Sequence, residues 1–445
     1  MLVTESFKCL TYLFNASNNA TQAEGFLRFP LEEKQSVFSY KKVVIMKKTL
    51  AAVAVLGAFA GSALAADVTL YGKVDLGLQY VNSDVDQITN ADTLATESVK
   101  SDKMTVKSGN NSGSRWGIKG TEQISEGLTV GFQLEGGFDA DTGKSAQDGR
   151  LFGRESRLYV TTDFGEIAFG RMGGLDSGSG SYDIVSKGYA MSTGWGDTIG
   201  KTSKIFLGQS DRFDNMITYK SPTFAGVTVY AQASLQKTAS TAEVEGSSDT
   251  DRYYALGATG NWGALSSALV FSTTDYSRTW VNDASNNGAD TKVEGREDMS
   301  KVVTGYVAYD FGMIKPMLSA QYFDDVKGVD AWEAAEKVTV TPEWADYSKK
   351  GYGVMLGATA PVGAGTLFAM VGYSDYETTE AVGEKKVEFD AMNFGLGYQY
   401  PLSKRTYVYT AAGYTKINAE WAKGDNKLDA DNQTTEVVAG IVHNF

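Results

Sequence analysis

Cysteine and histidine are nearly missing from this 445-residue chain, which holds Cys9, His443 and no other residue of either type. One cysteine cannot form an intramolecular disulfide, and a Cys/His metal cluster has too few ligands to be built. A serine hydrolase with a histidine base would have to use His443, two residues from the end of the sequence. Proline is scarce too, at 6 residues against 49 glycines, and after residue 65 no apolar run reaches 18 residues, so no helix there can cross a bilayer. Basic residues are outnumbered 41 to 54, which argues against a basic face for nucleic acid. No cofactor and no metal are expected.

What the chain does contain begins with an address. Residues 46–65, MKKTLAAVAVLGAFAGSALA, run from Lys47 and Lys48 through an apolar stretch to Ala63-Leu64-Ala65. That order is a secretory signal peptide, with cleavage expected before Ala66. The preceding residues, 1–45, show no targeting pattern and read as an upstream extension, Met46 being the expected initiator. Taking residues 1–65 away from the 445 leaves 380, with 34 basic and 50 acidic residues, a net charge of −16 and no cysteine. A cysteine-free mature chain suits passage through an oxidising compartment.

The remaining 66–445 read as one all-β domain. Apolar and polar residues alternate with period two in Val68–Leu78, Leu128–Glu135 and Val227–Leu235. Short turns are expected at Ser125–Gly127, Phe164–Glu166, Ser221–Gly226, Asn261–Ala264, Phe311–Met313, Pro361–Gly365 and Pro401–Lys404. Long polar stretches lie between them at 82–112, 236–251, 275–300, 324–348 and 418–433. Strict alternation of short and long connections separates a membrane barrel from a soluble sandwich. Seven short turns joining eight hairpins give sixteen strands, wide enough for an aqueous lumen. Phe164, Phe169, Tyr219, Phe224, Trp262, Phe311 and Tyr400 fall beside the turns, where an aromatic girdle sits. At the end, Val437, Ala439, Ile441, His443 and Phe445 share the lipid-facing phase.

Several stretches, in order, resemble the general porins of Gram-negative outer membranes: VTLYGKVDLGLQY, SRWGIKGTEQISEGLTVGFQLEGGF, ESRLYVTTDFGEIAFGR, DRFDNMITYKSPTFAGVTVYAQ and VVAGIVHNF. The resemblance implies a homotrimer in the outer membrane, in contact with its lipids and lipopolysaccharide. It implies insertion by the barrel assembly machinery, with Ile441, His443 and Phe445 as a C-terminal assembly signal. It also implies a long third loop folded into the lumen, a basic wall facing an acidic loop, and passive diffusion of small hydrophilic solutes and ions. Carried over residue by residue, the lumen arginines are Arg115, Arg157 and Arg212, and parity agrees for each. On the loop, which runs roughly from Arg171 to Gln209, Asp183 lies nearest the family's acidic position, with Asp176 and Asp197 as weaker candidates. Glu122 and Glu135 are expected to help orient the arginines. The acidic total leans toward cation preference at the mouths. The Pro-Glu-Phe-Gly-Gly stretch of enteric members is absent, and no Glu follows Asp183 in this loop.

Three rival functions can be weighed. An outer-membrane hydrolase would depend on His443 in the lipid phase. A surface adhesin would be a sealed barrel, separable by its lack of conductance. A substrate-specific channel would show saturable block by its solute.

Overall fold

The computed structural model describes residues 68–445 apart from 91–92, 193, 239–244, 247–249, 278, 283–291, 296–297, 328–346 and 383–384. The expected extension and signal peptide lie outside the described residues, as do most of 324–348 and parts of 236–251 and 275–300.

Alternation of side chains dictates strands, and the strands close on themselves. The first is Thr69–Asn90; the second is broken into Ala95–Ser108 and Arg115–Ser125. Leu128–Asp139, Glu155–Thr162, Gly165–Gly173, Arg212–Lys220, Val227–Ser234 and Arg252–Trp262 are the third to eighth. Leu265–Asp275, Lys301–Tyr309, Lys315–Val326 and Lys349–Val362 follow as the ninth to twelfth. Gly365–Thr378, Glu388–Pro401, Thr406–Lys423 and Asn426–Asn444 complete the sixteen. Every neighbouring pair is antiparallel, and closure comes from the first strand pairing with the last, Lys73 opposite Asn444 through Val85 opposite Asn432. A closed sheet leaves no edge, so each strand's backbone polar groups find partners without water. Among the described residues there is no α-helix, and only two 3-10 turns, Ser186–Gly188 and Thr202–Lys204.

The expected short turns stand where the sequence places them. Gly263 and Gly363 take φ of +60° and +59° there, a left-handed conformation that glycine adopts without strain. Phe164, Phe224, Trp262, Phe311 and Tyr400 are exposed beside these turns, and Leu256, Leu269, Leu318, Leu356 and Phe394 are exposed on the outer face. An apolar outside is the inverse of a soluble sandwich and the signature of strands that meet lipid. Ile441, His443 and Phe445 share that outer phase, with the His443 ring 2.9 Å from Thr406 Oγ1.

Two expected loops are strands. Residues 82–112 are mostly the ladder between the first and second strands, running to Asn90 opposite Ala95. Residues 418–433 pair from Asn418 opposite Asp431 to Lys423 opposite Asn426. In the second hairpin the inner face stays apolar and buried, with Ala419, Trp421, Leu428 and Ala430, while Glu420, Lys427 and Asp429 are exposed on the outer face, the reverse of a strand that meets lipid.

The second strand breaks for a purpose. Residues 109–114 leave the ladder, and the amides of Asn111 and Ser112 donate to Asp75 Oδ2, each at 2.7 Å. Asn110 O accepts the amides of Trp195 and Gly196, both at 2.6 Å, so the excursion reaches the third loop.

Candidate functional site

The third loop, residues 174–211, joins the fifth and sixth strands and packs along the inner wall rather than standing above it. Ile184 and Leu175 lie against Gly257, Gly188 against Tyr306, Ile205 against Gly353, and Ile199 against Gly413. Small residues on the inner phase make that possible. A Cβ on Gly353 would come within 2.2 Å of Ile205 O, so no larger residue fits there without moving the loop. Leu175, Val185, Met191, Ile199, Ile205 and Phe206 are fully or almost fully buried in consequence. Their burial is what holds an irregular segment at membrane depth.

Carboxylates fasten the loop at both ends. Glu155, on the fourth strand, accepts Ser181 N at 2.6 Å and Ser181 Oγ at 2.7 Å. At the far end Glu436, on the last strand and fully buried, accepts the amides of Asp197, Thr198 and Ile199 at 2.7–3.2 Å. Thr198 Oγ1 at 2.6 Å and Gln79 Nε2 complete its shell.

Across this loop stands a basic wall. Arg115 begins the second segment of the second strand, and its Nη1 is 3.7 Å from Glu135 Oε1. Arg154 holds the same oxygen at 2.6 Å through Nε. Tyr71 Oη donates to the other Glu135 oxygen at 3.0 Å and accepts from Gln133 Nε2 at 2.8 Å. Arg212 donates to Ser179 Oγ at 2.9 Å. Lys73, Arg115, Arg154 and Arg212 lie within electrostatic reach of one another. Arg157 belongs to the next group along. Its guanidinium stacks on Tyr159 and Tyr182 at 4.7 and 4.9 Å, donates to Tyr182 Oη and Gln133, and stands 3.0 Å from Glu155. Beyond it Arg150 and Arg171 share Asp214, at 2.9 and 2.7 Å.

The expected arginines and Glu135 therefore stand together on one arc of the wall, but the acids need correction. Asp183 is engaged by its own loop: Oδ1 accepts Gly178 N at 2.9 Å and Oδ2 accepts Ser186 N at 3.2 Å. Asp176 is fully buried, taking hydroxyl hydrogen bonds from Ser210, Tyr253 and Ser272, so it anchors the loop to the wall. Asp197, more than half exposed, pairs with Lys107 and Gln79. Glu122 is exposed and in phase with Trp116 and Ile118, on the outer side of its strand, and seven residues place it about 23 Å from Arg115. The carboxylates that meet the arginines are Glu135, Glu155, Glu166, Asp211 and Asp214. Reading the sequence missed the cations Lys73, Arg150, Arg154 and Arg171, the acids Glu155, Glu166, Asp211 and Asp214, and the loop anchor Glu436. Lys73 and Glu436 carry a usable signal, a charge in the inner phase of a strand, whereas Arg154 lies in a connection where parity says nothing.

Burial pushes the Asp183 carboxyl up to about 6, against the loop amides that favour its charged form. A carboxyl raised in the folded state stabilises most below its unfolded value of about 3.9, and that advantage falls away until the pH passes about 6. The stability of wild type relative to Asp183→Asn should thus fall between about pH 4 and pH 6 and level off above. Urea unfolding midpoints measured across that range test this; a flat difference would mean that the group is not buried as described.

The comparisons agree with this geometry. A family model described as Gram-negative porin matches residues 51–444. An outer membrane porin protein of Bordetella pertussis is 32% identical over 428 residues, 90% of this chain and the whole of that one. Outer membrane porin protein 32 of Delftia acidovorans is 29% identical over 418 residues, with the same coverage. In fold, the chain is similar to an anion-selective porin from Comamonas acidovorans, with a TM-score of 0.56 and 24% identity over 86% of this chain and all of that one. With a closed sixteen-strand barrel, a loop laid across its lumen and these relatives, the chain belongs to the Gram-negative porins, outer-membrane proteins that form channels for passive diffusion.

Proposed function

We propose that the channel has a neck set by the third loop and the arginine arc, and that this neck favours anions. The observation that carries the reading is which charges meet water. Side-chain exposure is 34% for Arg150 and 24% for Arg115, against 9% for Glu135, 8% for Asp214 and 2% for Glu155. Glu135, Asp214 and Glu155 stand behind the guanidinium groups, orienting them through charge-assisted hydrogen bonds, so a passing ion meets the cations first there, while Glu166, 19% exposed against 10% for Arg157, is the exception. Asp211, 83% exposed, is the acid of this arc that faces solvent, and it tempers the preference rather than reversing it. The chain's overall negative charge acts from further away. Beyond a Debye length of about 10 Å at 0.1 M salt it is screened, while the neck charges act at contact. Passage needs no catalytic step.

The protein works as a homotrimer exported by way of residues 46–65, with Phe445 and its phase-mates serving assembly. Lipopolysaccharide surrounds the trimer, and the barrel assembly machinery inserts it. Unheated detergent gels of outer membranes should show a band near three times the monomer size that collapses on boiling to a chain beginning at Ala66. The same material in planar bilayers should give steady ohmic steps in threes. A sealed barrel, or a sole monomer in mild detergent confirmed by light scattering, contradicts this reading.

A further inference from the structure

On the long-loop side of the neck, a cavity of about 230 Å³ opens between the returning limb of the third loop and the wall. Gln209 and Asp211 enter it from the loop, Phe213 from the sixth strand, and Lys237, Tyr276 and Lys327 from the connections after the seventh, ninth and eleventh strands. By the share of liquid volume that a water occupies, about 30 Å³, the space is worth about eight waters, room for a small organic solute.

One donor here has no partner in the protein. Gln209 Oε1 accepts from Thr202 Oγ1 at 2.7 Å, yet Gln209 Nε2 is buried with no hydrogen-bond partner. Buried donors of that kind are rare in folded proteins and call for an explanation. Lys237 Nζ lies over two rings, 5.2 Å from the centroid of Phe213 and 5.9 Å from that of Tyr276, with Asp251 at 3.8 Å. Lys327 Nζ is 5.8 Å from the Tyr276 centroid. The hydroxyls that border the same space are engaged elsewhere, since Ser210, Tyr253 and Ser272 all donate to Asp176. An ammonium and an unmatched amide donor ask for an acceptor with charge, and two aromatic faces ask for a flat apolar body. Asp211 and Asp251 make a second negative charge unwelcome.

We propose that this cavity is a docking subsite for small monocarboxylates with a flat apolar body, the carboxylate between Gln209 and Lys237 and the body against Phe213 and Tyr276. Such a solute pauses beside the neck before passing it, which goes beyond uniform passive diffusion. Benzoate is the probe.

The experiment is single-channel recording with benzoate added on the long-loop side, each variant scaled to its own current in potassium chloride. Benzoate should reduce the current saturably. Acetate, which lacks the flat body, and phthalate, which carries a second charge, should each need about tenfold more, a difference of about 1.4 kcal/mol. Gln209→Glu, which keeps the Thr202 contact and turns the unmatched donor into an anion, and Lys237→Gln should each raise the half-blocking concentration about tenfold or more. Calorimetry of benzoate with the detergent-purified wild-type protein should give a matching affinity. Equal block in both variants, equal block by benzylammonium, or no saturable block overturns the proposal. Channels that conduct chloride normally but ignore benzoate remove this subsite alone, whereas a protein that does not conduct removes the channel reading itself.

Discussion

Glu436→Ala is expected to leave the barrel closed and to release the far end of the third loop. Removing the carboxylate leaves the amides of Asp197, Thr198 and Ile199 without the acceptor they share. Hydrogen bonds to a charged group contribute about 1.5–3 kcal/mol each, and a buried donor left unmatched costs about 1–3 kcal/mol. Several such losses at once exceed what the apolar contacts of Ile199 can offset, because burying one side chain of that size gives about 1.5–3 kcal/mol. The loop then exchanges between docked and undocked positions, and one steady conductance level becomes several. Closure should also begin at lower voltage. Glu122→Ala, at an exposed carboxylate on the outer side of its strand, serves as the control and should record like wild type. A Glu436→Ala channel as quiet as that control would mean that the loop is held by its apolar packing alone.

Arg115→Ala and Arg154→Ala should part company, although both side chains reach Glu135. Arg154 is the buried partner, 10% exposed and 2.6 Å from Glu135 Oε1, while Arg115 stands 3.7 Å away and is 24% exposed. Breaking a buried ion pair from one side typically costs about 3–5 kcal/mol, since the other charge is stranded. Arg154→Ala should therefore lower heat resistance and yield of the folded barrel, and Glu135→Gln introduced with it should restore much of the loss. Arg115→Ala should fold normally, conduct more in the widened neck, and shift its reversal potential toward cations. Folding yields by heat-modifiable gel mobility, paired with bilayer recordings, separate the two roles. Identical behaviour of the two variants would mean that the layering of carboxylate behind guanidinium does not govern the site.

Much of the barrel is legible in the sequence because lipid forces it to be. Where a strand crosses the apolar layer its outer residues must be apolar and its inner ones need not be, so Leu128–Asp139 and Val227–Ser234 declare themselves. Past that layer the constraint lapses. The hairpin ending at Asn90 and Ala95, and the one ending at Lys423 and Asn426, lose the apolar outer face there and read as loops. Arg115, Arg157 and Arg212 were legible through the family resemblance, with the parity that places the lipid face agreeing for each. Arg154 was not, because it sits in a connection and acts through a contact with Glu135 that no local pattern encodes. Asp183 shows the opposite failure. A charge in the expected part of the loop is taken up by the amides of Gly178 and Ser186, because a short acidic side chain in a turning backbone finds local donors first. Glu436 was visible as an acid in the inner phase of the last strand, but what it binds lies more than two hundred residues away.

The measurement that bears most directly on this account is the zero-current potential of the wild-type channel across a potassium chloride gradient at low ionic strength, where screening is weakest. The exposed guanidinium arc predicts a potential of the sign that marks anion preference, diminishing as salt is raised. A potential of the opposite sign at low salt, or one that does not change with ionic strength, would contradict the assignment of the neck's exposed cations to Arg115 and Arg150.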